Sequence, residues 1–170
     1  MDRLAALDER LSTRLALPRQ ARLGRVLALL VAHTGDSLVW LLAAGAALLL
    51  GGPAWRDGGL RVLAATLVGG GLATALKWLI RRQRPAGERG ALYASLDPHA
   101  FPSGHAVRGA ALVVLLAPLL APWGWVVLPL WAGLVGLGRV ALQVHFPSDI
   151  AGGWLVGLLV GAVLLVAFWR

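Results

Sequence analysis

The 170-residue sequence contains no cysteine. Disulfides and thiolate metal sites are therefore excluded, and the redox compartment cannot be read from the sequence. Acidic residues are scarce: 8 Asp and Glu stand against 16 Lys and Arg, for a formal net charge of +8. A balance of that sign suits nucleic acid, anionic lipid or phosphate as a partner. There is no cleavable-signal pattern. The first apolar stretch is broken by Asp8, Glu9, Arg10 and Arg14, and no short apolar region with a small-residue cleavage site follows. Nor is there an internal repeat, a low-complexity tract or length for a second large domain. The expectation is one domain over 1–170.

What the chain has in abundance is apolar side chains. They make up 58% of it, and the mean hydropathy is +0.74. A soluble domain is roughly 45–50% apolar. Several apolar runs approach the ~20 residues that span a bilayer as a helix. Of the three partners suggested by charge, nucleic acid fits such a chain least. The fold class expected is all-α, a polytopic membrane helical bundle.

Leu4, Leu7, Leu11 and Leu15 recur at helical spacing, with Arg3, Asp8, Arg10 and Arg14 between them. This predicts an amphipathic interfacial helix over 2–16, stopped by Pro18. The N-terminal region runs to residue 34. It includes a more apolar stretch from Arg22 to His33, and Thr34-Gly35-Asp36-Ser37 reads as a break with a helix N-cap. Five spans are expected: Leu38–Leu50 (extendable back to Val26), Leu60–Ile80, Ala106–Leu120, Trp123–Gly138 and Ile150–Phe168. Asp57-Gly58-Gly59 reads as part of a turn before the second. A polar loop with Arg81, Arg82, Glu88 and Arg89 follows that span. Pro129 marks a kink in the fourth. Gly153, Gly157 and Gly161 form a small-residue stripe for close helix packing. Trp55, Trp78, Trp123, Trp125 and Trp169 sit near span ends, as interfacial anchors do.

Three polar clusters fall at span ends on one face of the membrane, within 77–149. The first is Lys77 with Arg84-Pro85, six residues lying between. The second is Pro102-Ser103-Gly104-His105. The third is Arg139, His145 and Asp149. Three cations at membrane depth are costly without an anion, and phosphate suits Arg and Lys. Ser103-Gly104 opens a helix, whose N-terminal N–H groups favour an anion. His145 and Asp149, four apart, share a face if the chain there is helical. Asp149 could then hold one imidazole nitrogen and leave the other to attack, with His105 as proton donor.

These three motifs, in order and each at a helix end, resemble the type-2 phosphatidic acid phosphatase superfamily, which also holds the vanadium haloperoxidases and glucose-6-phosphatase. The resemblance implies His145 as the nucleophile forming a phosphohistidine, Asp149 as its orienter, and His105 as the acid for the leaving group. It implies Lys77, Arg84 and Arg139 as the phosphate clamp, with Ser103 and Gly104 adding hydrogen bonds. No metal ion or other cofactor is implied. Gly138 departs from the pattern, which usually has Ser before the third-motif Arg; one hydroxyl contact to phosphate is expected to be lost.

The other polar residues read more plainly. His33 and His99 read as structural or interfacial, and Arg81, Arg82 and Arg89 as interface cations. Arg108 reads as a packing or headgroup contact. Asp36 reads as a helix cap, with partnership to a site cation as the minor reading. The function expected is hydrolysis of a lipid phosphomonoester or diphosphate: undecaprenyl diphosphate, phosphatidylglycerophosphate or phosphatidic acid. A haloperoxidase is disfavoured by length and spans. A transporter or channel subunit with an anion-binding cationic ring gives His145 and Asp149 no task. The protein is expected in the plasma (inner) membrane. Arginines ahead of the first span favour a cytoplasmic N-terminus, and five spans then put the site on that face too. Oligomeric state cannot be read.

Overall fold

The computed structural model describes residues 2–86 and 97–168. Glu88 and Arg89 of the polar loop and Trp169 as an anchor lie outside the described residues. The helices are α1 (Asp2–Leu15), α2 (Arg22–His33), α3 (Ser37–Leu50), α4 (Pro53–Ile80), α5 (Gly104–Leu116), α6 (Gly124–Ala141) and α7 (Pro147–Phe168). A 3-10 turn, Ala117–Leu120, extends α5. No strand occurs among the described residues.

The bundle shows its large apolar side chains to the outside. Leu49, Leu79, Leu130, Leu159 and Val163 are all exposed, while the core uses small residues such as Ala44, Ala65 and Ala111 around Leu112 and Leu115. That distribution is what lipid requires: helices gain little by hiding leucine, and close packing favours small residues. The tryptophans expected near span ends are exposed there, Trp55, Trp78, Trp123 and Trp125 among them.

α5 is the central helix, buried along most of its length. α7 lies against it through the glycine stripe. A Cβ on Gly153 would sit 2.7 Å from Ala106 Cβ, and one on Gly161 would sit 2.7 Å from Val114 Cβ. One on Gly157 would drive into the Val107 carbonyl.

Among the described residues three helices are long and apolar enough by themselves to cross a membrane: α4, α6 and α7. α2 and α3 meet that test only together, as one path bent by 47°. Gly104–Leu120 is apolar but shorter. The exact count differs slightly from the five spans expected: Leu38–Leu50 is the second half of a bent path, and α5 with its 3-10 turn is a shorter apolar helix. α4 begins at Pro53, and Asp57-Gly58-Gly59 is helix rather than turn. Pro53 is pre-set for a first helical turn, Asp57 accepts a 2.9 Å bond from Arg61 one turn on, and Gly59 fits against the Ala44 carbonyl of α3. Tertiary packing thus outweighs the local turn signal.

A broken helix at membrane depth exposes backbone that lipid cannot satisfy. Here the protein satisfies it. Buried Arg108 of α5 donates to the Gly35 carbonyl through Nε (3.0 Å) and Nη2, and to Ser37 Oγ at 2.8 Å. Trp40 Nε1 donates to the Thr34 carbonyl at 2.9 Å, and Trp131 Nε1 to Thr34 Oγ1 at 2.8 Å. Arg108 is therefore a packing contact, as read from its position.

Arg108→Met removes the donor to the Gly35 carbonyl and should cost about 1–3 kcal/mol, read as a lower unfolding midpoint in detergent. Gly157→Val wedges α5 from α7 and should cost about 1–3 kcal/mol or more. Gly70→Val, where a Cβ meets no neighbour within 4 Å, should leave the midpoint within about 1 kcal/mol.

Candidate active site

The three motifs meet at one end of the bundle, where α4 and α6 end and α5 and α7 begin. α4 stops at Arg81, which takes a left-handed conformation (φ 53°) and turns the chain toward α5. Buried Lys77, in the last turn of α4, forms an ion pair with Asp97. Arg84 joins the same carboxylate at 3.0 Å and donates through Nε to the Asp97 carbonyl at 2.8 Å. Arg84 Nη1 also donates to the Val144 carbonyl at 2.9 Å and lies 3.3 Å from His145 Nε2. Asp97 belongs to no sequence motif, and only the fold places it on the cations.

Arg139, in the last turn of α6, is itself buried. The chain then doubles back in a tight turn. Val144 N–H donates to the Arg139 carbonyl at 3.0 Å, and Gln143 takes a left-handed φ of 58°. This turn delivers His145, 1% exposed, into the middle of the cations. Burial first, then the charges of Arg139, Arg84 and Lys77, push its imidazole well below the ordinary histidine value. His145 is thus neutral at neutral pH, with a ring nitrogen free of a proton.

His145 precedes α7 and does not share a helix with Asp149, which corrects the premise on which they were expected to meet. Asp149 stands in the first turn of α7 and folds back, accepting the Phe146 N–H on Oδ2 at 2.8 Å. That carboxyl oxygen lies 3.5 Å from His145 Nδ1, in ionic range but longer than a hydrogen bond. Oδ1 accepts a 2.7 Å bond from Arg82. The Asp149 main-chain carbonyl accepts the Ser103 N–H at 3.1 Å, joining the second motif to the third.

Ser103 occupies the N-cap position of α5, and its buried Oγ has no hydrogen-bond partner among the described residues. Gly104 follows; a Cβ there would meet no packing neighbour within 4 Å among the described residues. His105 Nε2 lies 2.7 Å from Asp36 Oδ1, and the other oxygen of Asp36 holds His33 Nδ1 at 2.7 Å. Asp36 stands at the N-cap position of α3 but makes no capping bond with its side chain. Its carboxylate belongs to the site and is partnered by histidines rather than by Arg or Lys. His99 packs edge-on against Trp78.

Arg82 is not an ordinary interface cation. It bridges Asp149, Ser148 and Asp8, and stacks on Phe146 at 4.7 Å. The available signal was its place two residues before Arg84. Gly138 stands at a helix crossing, where a Cβ would lie 3.1 Å from the Ala28 carbonyl of α2. A serine there would meet α2, so glycine serves packing at this position. Among the described residues no group of three or more His, Asp or Glu is placed to hold a metal ion.

The PAP2 superfamily model matches residues 58–170, which include all three motifs. A decaprenylphosphoryl-5-phosphoribose phosphatase of Mycobacterium tuberculosis is 34% identical over 144 residues, 79% of this chain and 75% of that protein. An undecaprenyl-diphosphatase of Sulfolobus acidocaldarius is 31% identical over 130 residues, 72% of this chain and 60% of that protein. The fold superposes on the crystal structure of a transmembrane PAP2-type phosphatidylglycerolphosphate phosphatase from Bacillus subtilis. The TM-score is 0.77 at 28% identity, over 99% of this chain and 87% of that one. With the motifs assembled at one end of a multi-pass membrane bundle, the chain belongs to the PAP2 superfamily and is a phosphoric-ester hydrolase.

Proposed function

We propose that this protein hydrolyses a lipid phosphomonoester or diphosphate through a phosphohistidine on His145, without a metal ion. The observation that carries the proposal is the setting of His145. Its Nδ1 edge faces Asp149, and its Nε2 lies 3.3 Å from Arg84 inside a cluster of cations. A neutral imidazole so placed can attack a phosphorus atom whose oxygens the cations hold.

The chemistry runs in two steps. His145 Nε2 forms a bond to phosphorus as the bond to the leaving oxygen breaks, and His105 gives that oxygen a proton. Asp149 stabilises the positive charge that develops on the His145 ring. Water then attacks phosphorus, losing its proton to His105, the phosphorus–nitrogen bond breaks, and inorganic phosphate leaves. Asp36 accepts the His105 Nε2–H, so His105 enters the first step as the imidazolium, gives up its Nδ1 proton to the leaving oxygen, and recovers it on Nδ1 from the attacking water. Lys77, Arg84 and Arg139 supply the positive charge for the transferring group, work that a metal ion does elsewhere. On phosphate binding, Asp97 gives up its hold on Lys77 and Arg84. Ser103 Oγ and the backbone at Gly104 complete the cradle, where the helix N-terminus favours an anion.

A lipid substrate is supported by the position of the site at the end of a bundle clad in exposed leucines. It is also supported by the relatives, whose names specify decaprenylphosphoryl-5-phosphoribose, undecaprenyl diphosphate and phosphatidylglycerophosphate. Those long-chain substrates and phosphatidic acid are the ones to compare. The plasma membrane is the compartment where such lipids would be met, and residues 1–170 act as one catalytic domain.

Detergent-purified protein in EDTA should release phosphate from at least one of undecaprenyl diphosphate, phosphatidylglycerophosphate and phosphatidic acid, and His145→Ala should release none. Release that EDTA abolishes would overturn the metal-free mechanism. Silence from a folded protein on every substrate would favour anion binding without turnover. Asp36→Asn should lower kcat by about 100-fold with KM little changed, since it disturbs the proton donor and spares the clamp. A steady-state rate equal to wild type would remove Asp36 from the mechanism.

A further inference from the structure

The two steps above make no use of Asp8, yet this acid is 3% exposed and tied into the site by every polar atom of its side chain. Its Oδ1 accepts the Ser148 N–H at 3.0 Å, and its Oδ2 accepts Ser148 Oγ at 2.5 Å and Arg82 Nη2 at 2.6 Å. The same guanidinium donates through Nη1 to Asp149 at 2.7 Å. One cation is therefore shared between two carboxylates, one on α1 and one beside His145.

α1 is shaped for this role. At 100° per residue, Leu4, Leu7, Leu11 and Leu15 fall within an arc of about 80°. Arg3, Arg10 and Arg14 flank that stripe on one side, and Asp8 and Ser12 on the other. The leucine stripe is largely exposed, with Leu4 61% accessible, while Asp8 and Ser12 are buried against the protein. The docked face is thus polar. Ser12 uses it to accept two bonds from Gln143, at 2.8 and 2.9 Å to its carbonyl and hydroxyl. Gln143 is the left-handed residue of the turn that presents His145. Both polar contacts of α1 lead to the catalytic pair, one through Arg82 to Asp149 and one to the turn before His145.

We infer that α1 is a working part of the active site, with Asp8 a positioning residue that fixes Asp149 through Arg82 and Ser148. The physical reason is a competition. With Asp8 in place, Nη2 of Arg82 is held by α1 and only Nη1 engages Asp149, which leaves Asp149 with charge to offer His145. Without that carboxylate, Arg82 is free to engage Asp149 with both nitrogens, drawing it from the imidazole and neutralising it. The phosphate clamp is untouched, so the effect falls on turnover and not on substrate binding.

The kinetic side of this inference rests on the phosphatase reading above, so the test has a second readout that needs no turnover. Full-length protein labelled with 15N-histidine is placed in nanodiscs, and His145→Ala identifies the His145 ring signals. Asp8→Asn should move the His145 signals and leave those of His99 in place. It should lower kcat about tenfold with KM within twofold, and Asp8→Glu should recover most of the loss. Glu9→Gln, on the exposed side of α1, should change neither readout. Unmoved His145 signals in folded Asp8→Asn overturn the inference, whatever its rate. If Asp8→Asn does not fold, Asp8→Glu is read the same way: a partial shift supports the relay and an unmoved signal sinks it. Absence of phosphate release from the wild type would instead sink the phosphatase reading, and the nitrogen signals would still decide the relay.

Discussion

Asp149 is the residue on which the arrangement of the site depends. Its main-chain carbonyl holds the N-terminus of α5 at Ser103, one carboxyl oxygen closes the first turn of α7, and the other binds Arg82 from the segment after α4. Three stretches far apart in sequence are thus brought to one residue, and His145 lies against its carboxylate. A carboxylate buried this deeply is tolerable only with such partners, because an unpaired buried charge is expensive. The interactions that make Asp149 bearable are the same ones that assemble the site.

Around that centre the charge balance runs the other way. Lys77, Arg84 and Arg139 gather beside a neutral histidine, and only Asp97 among their named partners is an acid. Like charges held together at the end of a membrane bundle gain from any anion that enters. Phosphate supplies more charge and more acceptor oxygens than a single carboxylate. The folded scaffold therefore carries the cost of bringing the cations together in advance, with Asp97 holding Lys77 and Arg84 in place.

The bundle can hold so polar a site because irregular backbone is satisfied by protein. The break between α2 and α3 is closed by Arg108 and two tryptophans, and it sets Asp36 beside His105. α5 can be central because α7 approaches it along glycines, which add no side chain of their own between the two helices. The short helix in turn sets Ser103, Gly104 and His105 at the end of the bundle, facing the cations.

Much of this was legible in the sequence. The apolar runs, the leucine spacing of α1, the glycine stripe and the three motifs are local patterns, and each follows from helix period or from residues a few positions apart. Pairings between distant residues were not legible. His105 and Asp36 are 69 residues apart, Arg82 and Asp149 are 67 apart, and Arg82 and Asp8 are 74 apart. Asp36 looked like a cap and Arg82 like an interface cation, because each satisfies the local rule for such a residue. Helix period determines which side chains share a face, and so the sequence by itself determined most of the helices and the motif residues that the fold gathers at one end of the bundle. Which faces meet, and which acid each cation and each imidazole finds there, is a matter of packing across the bundle. Only the tertiary structure decided that.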